Sequence, residues 1–459
     1  MESGALITEP TKGPERPEPG AGPSVQAALA ARLFAFLNER GVPYVVVGDV
    51  RDYERAVASD IDLVVAEEAL PRMPRVLADF AAAHEGQLVQ VIRHEHGAFY
   101  FVLAHRVDGR HEFLHPDVCA TYVRRGRLLI AADELLKGRR STPFGALVPA
   151  PGPAFGYYLA KRVDKGSLDR RAFGYLLELW VADRGGCLAQ LERLLPRDGA
   201  PGLASAFDRA DLDAVAPAFG DLRRALERAH PLTWADRWLE VRRAVDRWAR
   251  PTGGWVAFYG PDGAGKSSVI DRVEPRLAPA FRRTARYHLR PHFGRRLRPG
   301  GTPVTEPHGQ PARGWIGSFA KVAYWFLDAT LGYWFRVRPQ VVRSTLVVFD
   351  RYVDDLAVDP KRYRFGAPVW TADALRRVTP RPDVTVVLDA PADVLQARKA
   401  EVPLAESERQ REAYRALAER TRGAVVVDAA RPLSDVADAV ETAVLSRLAD
   451  RTARRLGLA

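Results

Sequence analysis

The run from Gly260 to Ser267, GPDGAGKS, places Gly260, Gly265, Lys266 and Ser267 at the spacing G-x-x-x-x-G-K-[ST]. Glycines at these positions let the backbone curl so that its N–H groups point at phosphate oxygens, and a helix that follows adds its positive end. Gly263, Ala264 and Ser268 complete the cradle. Lys266 has the reach for the β- and γ-phosphates of a nucleoside triphosphate, and the Ser267 hydroxyl suits Mg²⁺. Further on, TLVVFDRY puts Asp350 and Arg351 at the carboxyl end of an apolar strand, where open α/β sheets bind ligands. Asp350 suits Mg²⁺ held through water, and Arg351 suits an acceptor's phosphate. The other reading of this pair is a structural ion pair under the strand end.

A second set of chemistry-bearing residues lies far upstream. Asp60 and Asp62 in SDIDLVV are two residues apart on a strand and project to one face, as two carboxylates sharing a metal must. A third carboxylate from a neighbouring strand would complete a two-metal site. Asp117 in FLHPDVC is the first choice and Glu112 the second. Lys161 and Lys165, in the helix that follows, either face that cleft or form an ordinary surface pair.

These residues need elements to position them. Residues 1–24, rich in Pro, Gly and Glu, read as a disordered leader without the basic and apolar regions of a signal peptide. Residues 25–150 alternate helical and strand patterns, with a turn at Asp108-Gly109, and read as a small α+β domain. Residues 151–250 are helical and end in a linker, RWARPTGG. Residues 251–459 open with the strand GWVAFY, pass through the loop to the helix SSVIDRVEPRLA, and alternate strands with helices, the pattern of a parallel sheet wrapped by helices. The fold class is therefore α/β, a parallel sheet flanked by helices that carries the P-loop, behind an α+β domain and a helical domain. The apolar run FAKVAYWFLDATLGYWF is too short and too polar to span a bilayer and reads as a buried helix beside a ligand pocket.

The chain has 459 residues and a net charge of +11, yet only eight of its 68 basic residues are lysines. Arg, Ala, Gly and Pro are abundant throughout, so the charge is a compositional bias more than a nucleic-acid surface, and a small phosphorylated or acidic substrate is its better beneficiary. Cys119 and Cys187 lack metal-type spacing, which fits a reducing, cytoplasmic setting.

From about Trp255 onward the chain resembles the thymidylate kinase family of nucleoside monophosphate kinases. The loop G-x-D-G-A-G-K-[ST], the D-R-Y after an apolar strand, and LDAPADVLQARKAE followed by EAYRALAER carry the resemblance. It implies ATP and Mg²⁺ as cofactors, dTMP as the first acceptor to consider, and dimerisation through kinase helices. It further implies that Asp262 contacts the acceptor sugar and Arg351 its phosphate. With Ala264 in the loop, a lid arginine is expected to meet the transferring phosphoryl group, the candidates being Arg398, Arg409 and Arg411. The chain also departs from the family. LRPH keeps Arg290 but loses the expected Glu. YWFLDATLG keeps Phe326, taken as the base-stacking aromatic, and Asp328, but has Ala329 where an arginine belongs. AVDP replaces A-Y-Q. A site built to hydrogen-bond one base rejects others strongly, so these losses bear on the acceptor.

The stretch VVVGDVRDYERAVASDIDLVV resembles the nucleotidyltransferase superfamily, over residues 25–149. That family has Gly-Ser or Gly-Gly where this chain has Gly48-Asp49, and a carboxylate there would repel a triphosphate. The alternatives to a kinase alone are a bifunctional kinase–nucleotidyltransferase acting on a sugar or secondary metabolite, and a non-catalytic nucleotide-binding regulator.

Overall fold

The computed structural model describes residues 6–8, 22–95, 97–124, 127–194, 200–215, 219–229, 234–291, 314–399 and 402–458. The chain forms two compact units. One spans 12–247 with 456–458, and the other spans 248–455 with the residues up to 11.

The first strand, β1 (Leu6–Thr8), lies within the segment expected to be a disordered leader and departs from that expectation at these three residues. It pairs antiparallel with a strand of the C-terminal unit, Leu6 opposite Arg286 and Thr8 opposite Thr284. The apolar and β-branched triplet LIT suits an edge strand, although the surrounding composition hides it.

The N-terminal unit opens with α1 (Val25–Glu39), whose N-cap Ser24 accepts from the Ala27 amide. The strands β2 (Tyr44–Val46), β3 (Ile61–Val65), β4 (Gly86–Glu95), β5 (Ala98–Val107), β6 (Arg110–Leu114) and β7 (Pro116–Cys119) form a mixed sheet in the order β2-β3-β7-β5-β4, with β6 also on β5. The helix Met73–Ala83 and α1 supply Leu33, Phe34, Leu77 and Phe80 to the core on one face. A helical array follows, beginning with α2 (Pro151–Lys165) and α3 (Arg170–Ala182), around Phe155, Trp180 and Phe207. α2 stops at Gly166, whose φ of 70° gives the left-handed cap that glycine adopts without strain.

In the C-terminal unit β8 (Gly254–Tyr259) is buried along its whole length and lies between β10 (Thr345–Asp350) and β11 (Val384–Asp389). β9 (Arg283–His288) and β12 (Ala424–Asp428) extend the sheet to the order β1-β9-β10-β8-β11-β12. All pairings but that of β1 are parallel. The near-continuous Val/Ala/Phe composition of β8, β10 and β11 follows from burial on both faces. Flanking helices include α4 (Lys266–Leu277), α5 (Trp315–Gly332) and α6 (Leu404–Arg420). Helix α5 corrects a further expectation. It buries only a stripe of Ser318, Trp325, Asp328, Ala329 and Gly332, while Phe319, Leu327 and Leu331 are exposed. A π-helical turn, Tyr333–Val337, continues it.

Candidate functional site

The phosphate loop leaves the carboxyl end of β8 and enters α4. Its glycines are there for backbone reasons. Gly260 has φ 147° and a Cβ would lie 2.6 Å from the Leu388 carbonyl oxygen, and Gly263 has φ 86° with the Leu395 carbonyl 2.7 Å from such an atom. Gly265, φ 78°, is the residue before the helix. No L-residue holds these angles cheaply, so the loop keeps a cradle that side chains would fill. Ser267 and Ser268 lie exposed in the first turn of α4, and Ala264 is buried.

Lys266 is buried, and its ammonium donates to the Gly260 and Pro261 carbonyls at 2.7 Å each. Burial and the neighbouring Arg351 charge push its pKa down to about 7, against the pull of Asp262, Asp350 and Asp355. Asp350 ends β10, directly across from Phe258 of β8. Its Oδ2 lies 3.7 Å from His288 Nδ1, and its Oδ1 is buried with no hydrogen-bond partner. A buried carboxylate oxygen without a donor is rare in proteins and suits a cation or its bound water. With the Ser267 hydroxyl and the glycine cradle, these residues fit a Mg²⁺–nucleotide.

Arg351 follows in the left-handed region, φ 67°, which costs a non-glycine residue about 1–2 kcal/mol. Its amide donates to Phe258 O across the sheet at 3.0 Å. Its Nη1 donates to both oxygens of the buried Asp355 and to the Tyr414 hydroxyl from α6, at 2.8 to 3.0 Å. Tyr363 donates to the same Asp355 carboxylate at 2.6 Å. The remaining edge of Arg351 reaches the loop, Nη2 donating to Asp262 Oδ1 at 2.7 Å. Burial pushes the Asp262 carboxyl up, but the charges of Arg351, Lys266 and Arg362 outweigh it and hold the group well below the usual carboxylate range. The structure thus brings Asp262, Lys266, Asp350 and Arg351 together, and Arg351 is both a structural partner of Asp355 and a donor at the loop.

Beside this centre Arg290 lies over the rings of Tyr324 and Trp325, at 4.9 and 5.5 Å, with Nη1 3.5 Å from Asp328 Oδ2. Lys321 sits 5.5 Å from the centroids of Trp325 and Tyr363. The aromatics that meet Arg290 on this helix are thus Tyr324 and the buried Trp325, and not Phe326, which is 36% exposed. One residue is about 100° on a helix, enough to turn Phe326 away from the cluster. The lid candidates are not gathered at the loop. Arg398 donates to the Ala429 carbonyl, Arg409 to Glu406, and Arg411 to Asp389. Part of the lid and the arginines after Pro291 in ARYHLRPHFGRRLRP fall outside the described residues. Sequence reading missed Trp325, Lys321, Arg362, Tyr363 and Tyr414. The aromatic-basic spacing of KRY was the available signal for two of them.

In the N-terminal unit β3 and β7 run parallel with Asp62 directly opposite Asp117, so the expected neighbouring strand is the one found. The carboxylates are nonetheless taken by the protein's own donors. Lys161 of α2 pairs with Asp62 at 2.5 Å, Tyr100 donates to Asp60 at 2.8 Å, and Gln26 donates to Glu112 at 2.9 Å. Among the described residues no three His, Cys, Asp or Glu side chains converge as a metal site would require. Of the three carboxylates expected to share a metal, Asp60, Asp62 and Asp117, the second is thus neutralised by a lysine of the chain itself. Asp49 is held by Arg51 through two bonds of 2.8 Å and by Arg171 at 3.1 Å, so its charge is balanced and the expected repulsion of phosphate is weakened. No helix among the described residues is long and apolar enough to cross a membrane.

No protein-family model matches the chain. Curated relatives do. The thymidylate kinase of Thermomicrobium roseum is 33% identical over 205 residues, covering 40% of this chain and 91% of the relative. The thymidylate kinase of Enterococcus faecalis is 28% identical over 214 residues, 42% of this chain and 96% of the relative. That of Limosilactobacillus fermentum is 26% identical over 217 residues, 43% and 98%.

Proposed function

The chain belongs to the thymidylate kinase family, and on that premise we propose that its C-terminal unit, about residues 251–459, is a phosphotransferase that moves the γ-phosphoryl group of ATP to a nucleoside monophosphate or related phosphorylated metabolite, dTMP being the first candidate. The observation that carries this reading is the meeting of Lys266, Asp350 and the Asp262–Arg351 pair at the carboxyl ends of β8 and β10. Bound there, Mg²⁺–ATP would supply the phosphoryl group and the charge that screens it, with Ser267 and Asp350 as the metal's protein partners. Lys266 would give up its two carbonyls to pair with phosphate, the glycine amides would orient the chain of phosphates, and Arg351 would hold the acceptor in line. The acceptor's base is left open, because Ala329 is buried and offers no donor where the family's arginine would stand.

The N-terminal unit reads best as a nucleotidyltransferase-like α+β domain to about residue 150, followed by a helical domain, retained for binding or architecture. The Lys161–Asp62 pair supports an inactive form. The test is a screen with γ-labelled ATP against nucleoside monophosphates, free sugars and sugar phosphates. Label should appear in a phosphorylated acceptor and vanish with Lys266→Ala. Transfer that survives this substitution unchanged would contradict the reading.

A further inference from the structure

A second arginine faces the phosphate loop from far along the chain. Arg362, in the turn after the short helix Asp355–Val358, donates from Nη1 to Asp262 Oδ2 at 2.5 Å. Arg351 holds the other oxygen, Oδ1, at 2.7 Å, and Lys266 Nζ is 4.0 Å from that same atom. Arg351 spends its Nη1 on Asp355 and Tyr414, so only its Nη2 edge is presented to the loop. Arg362 is held from its backbone, where its amide donates to Asp359 Oδ1 at 3.1 Å while Gln410 of α6 donates to the other oxygen of Asp359. Its guanidinium has Asp262 as its sole ion-pair partner among the described residues.

Resting on the phosphotransferase reading above, we propose that Arg362 and Arg351 form a two-guanidinium clamp for the phosphomonoester of the acceptor, with the Asp262 carboxylate holding the clamp together until that anion arrives. Two guanidinium groups, each donating to a different oxygen of one oxyanion, are the arrangement that carboxylates and phosphates share. A phosphomonoester carries more charge than a carboxylate and three terminal oxygens, so it competes for both arginines and for the nearby lysine. Asp262 is then released to accept from a hydroxyl of the same acceptor. A neutral acceptor cannot make this exchange, because prising Asp262 from its cations would leave buried charges unpaired. The clamp therefore narrows the acceptor to compounds already phosphorylated and disfavours free sugars and nucleosides. It also gives the segment KRYR, which follows the AVDP that stands in place of the family's A-Y-Q, a role as a specificity element.

The experiment is calorimetric titration of the full chain, saturated with Mg²⁺–ADP, with dTMP and with deoxyribose 5-phosphate as a base-free probe. Wild-type protein should bind both. Arg362→Gln should weaken both at least tenfold, Arg362→Lys should fall between, and the affinity for ADP should stay within twofold in each variant. Unchanged affinity of Arg362→Gln for the two phosphomonoesters overturns the proposal. So does a loss that falls equally on ADP, which marks Arg362 as support for the loop alone, or a wild-type protein that binds neither probe. Because binding is read without turnover, failure of phosphoryl transfer and failure of the clamp are told apart.

Discussion

Each unit of the chain holds carboxylates against cations near a strand end, and the two differ in how completely the charges are used. In the N-terminal unit Asp62 is consumed by Lys161, Asp60 by Tyr100, and Asp49 by Arg51 and Arg171. In the C-terminal unit the cations crowd one carboxylate, Asp262, while Asp350 keeps a buried oxygen without a donor. Beside them lies a glycine loop whose backbone angles exclude side chains. A self-satisfied set of charges stabilises a fold. A set with a strained arginine, a lysine folded back on carbonyls and an orphaned acceptor has something left to do with a ligand.

The largest difference should show in stability. Arg351→Met leaves Asp355, fully buried, with only two tyrosine hydroxyls, and breaking a buried pair in this way costs about 3–5 kcal/mol. Lys161→Met removes a pair that keeps 13% and 23% side-chain exposure, against 4% and 0% for Arg351 and Asp355, and should cost less. Urea unfolding followed by tryptophan fluorescence checks both, and comparable losses would erase the contrast.

A smaller effect concerns protons. Lys266, pushed down to about 7, is largely neutral above that pH in the free protein, whereas phosphate oxygens favour its charged form. Nucleotide binding should therefore take up a proton between pH 7 and the lysine's ordinary value of 10.5, and affinity should fall as pH rises through that window. Calorimetry near pH 8.5, roughly mid-window, in buffers of different ionisation enthalpy reads the uptake. No dependence on buffer would mean that the lysine stays charged throughout. The smallest effect is chemical. Cys187 is buried and its thiol is pushed up to about 12 by burial and by Asp183, so it should resist alkylation until the helical array unfolds.

The phosphate loop was legible because its chemistry is local. Eight consecutive residues fix both the curl of the backbone and the place of the lysine, and the strand before it and helix after it are equally local patterns. The same is true of Asp350 and Arg351 at a strand end. What the sequence concealed depends on contacts across the chain or on helix rotation. Arg362 meets Asp262 a hundred residues away, and Tyr414 meets Arg351 over 63. Trp325 and Phe326 are adjacent in sequence, and only packing decides which of them faces Arg290. β1 is three residues inside a Pro- and Gly-rich segment, and its partner strand begins near residue 283. Asp62 and Asp117 lie on the paired strands expected of them, with Asp60 just before β3, but the lysine that pairs with Asp62 comes from a later helix and no local pattern announces it.

The central claim is that phosphoryl transfer belongs to the C-terminal unit. It is tested most directly by transfer from γ-labelled ATP to a panel of phosphomonoesters that includes dTMP, using wild-type protein, Lys266→Ala, and the pair Asp60→Asn with Asp62→Asn. Label should reach an acceptor in the wild type and in the double variant to within about twofold, and fall by about a hundredfold or more with Lys266→Ala. Transfer that persists in Lys266→Ala, or that disappears when Asp60 and Asp62 are changed, would contradict the account.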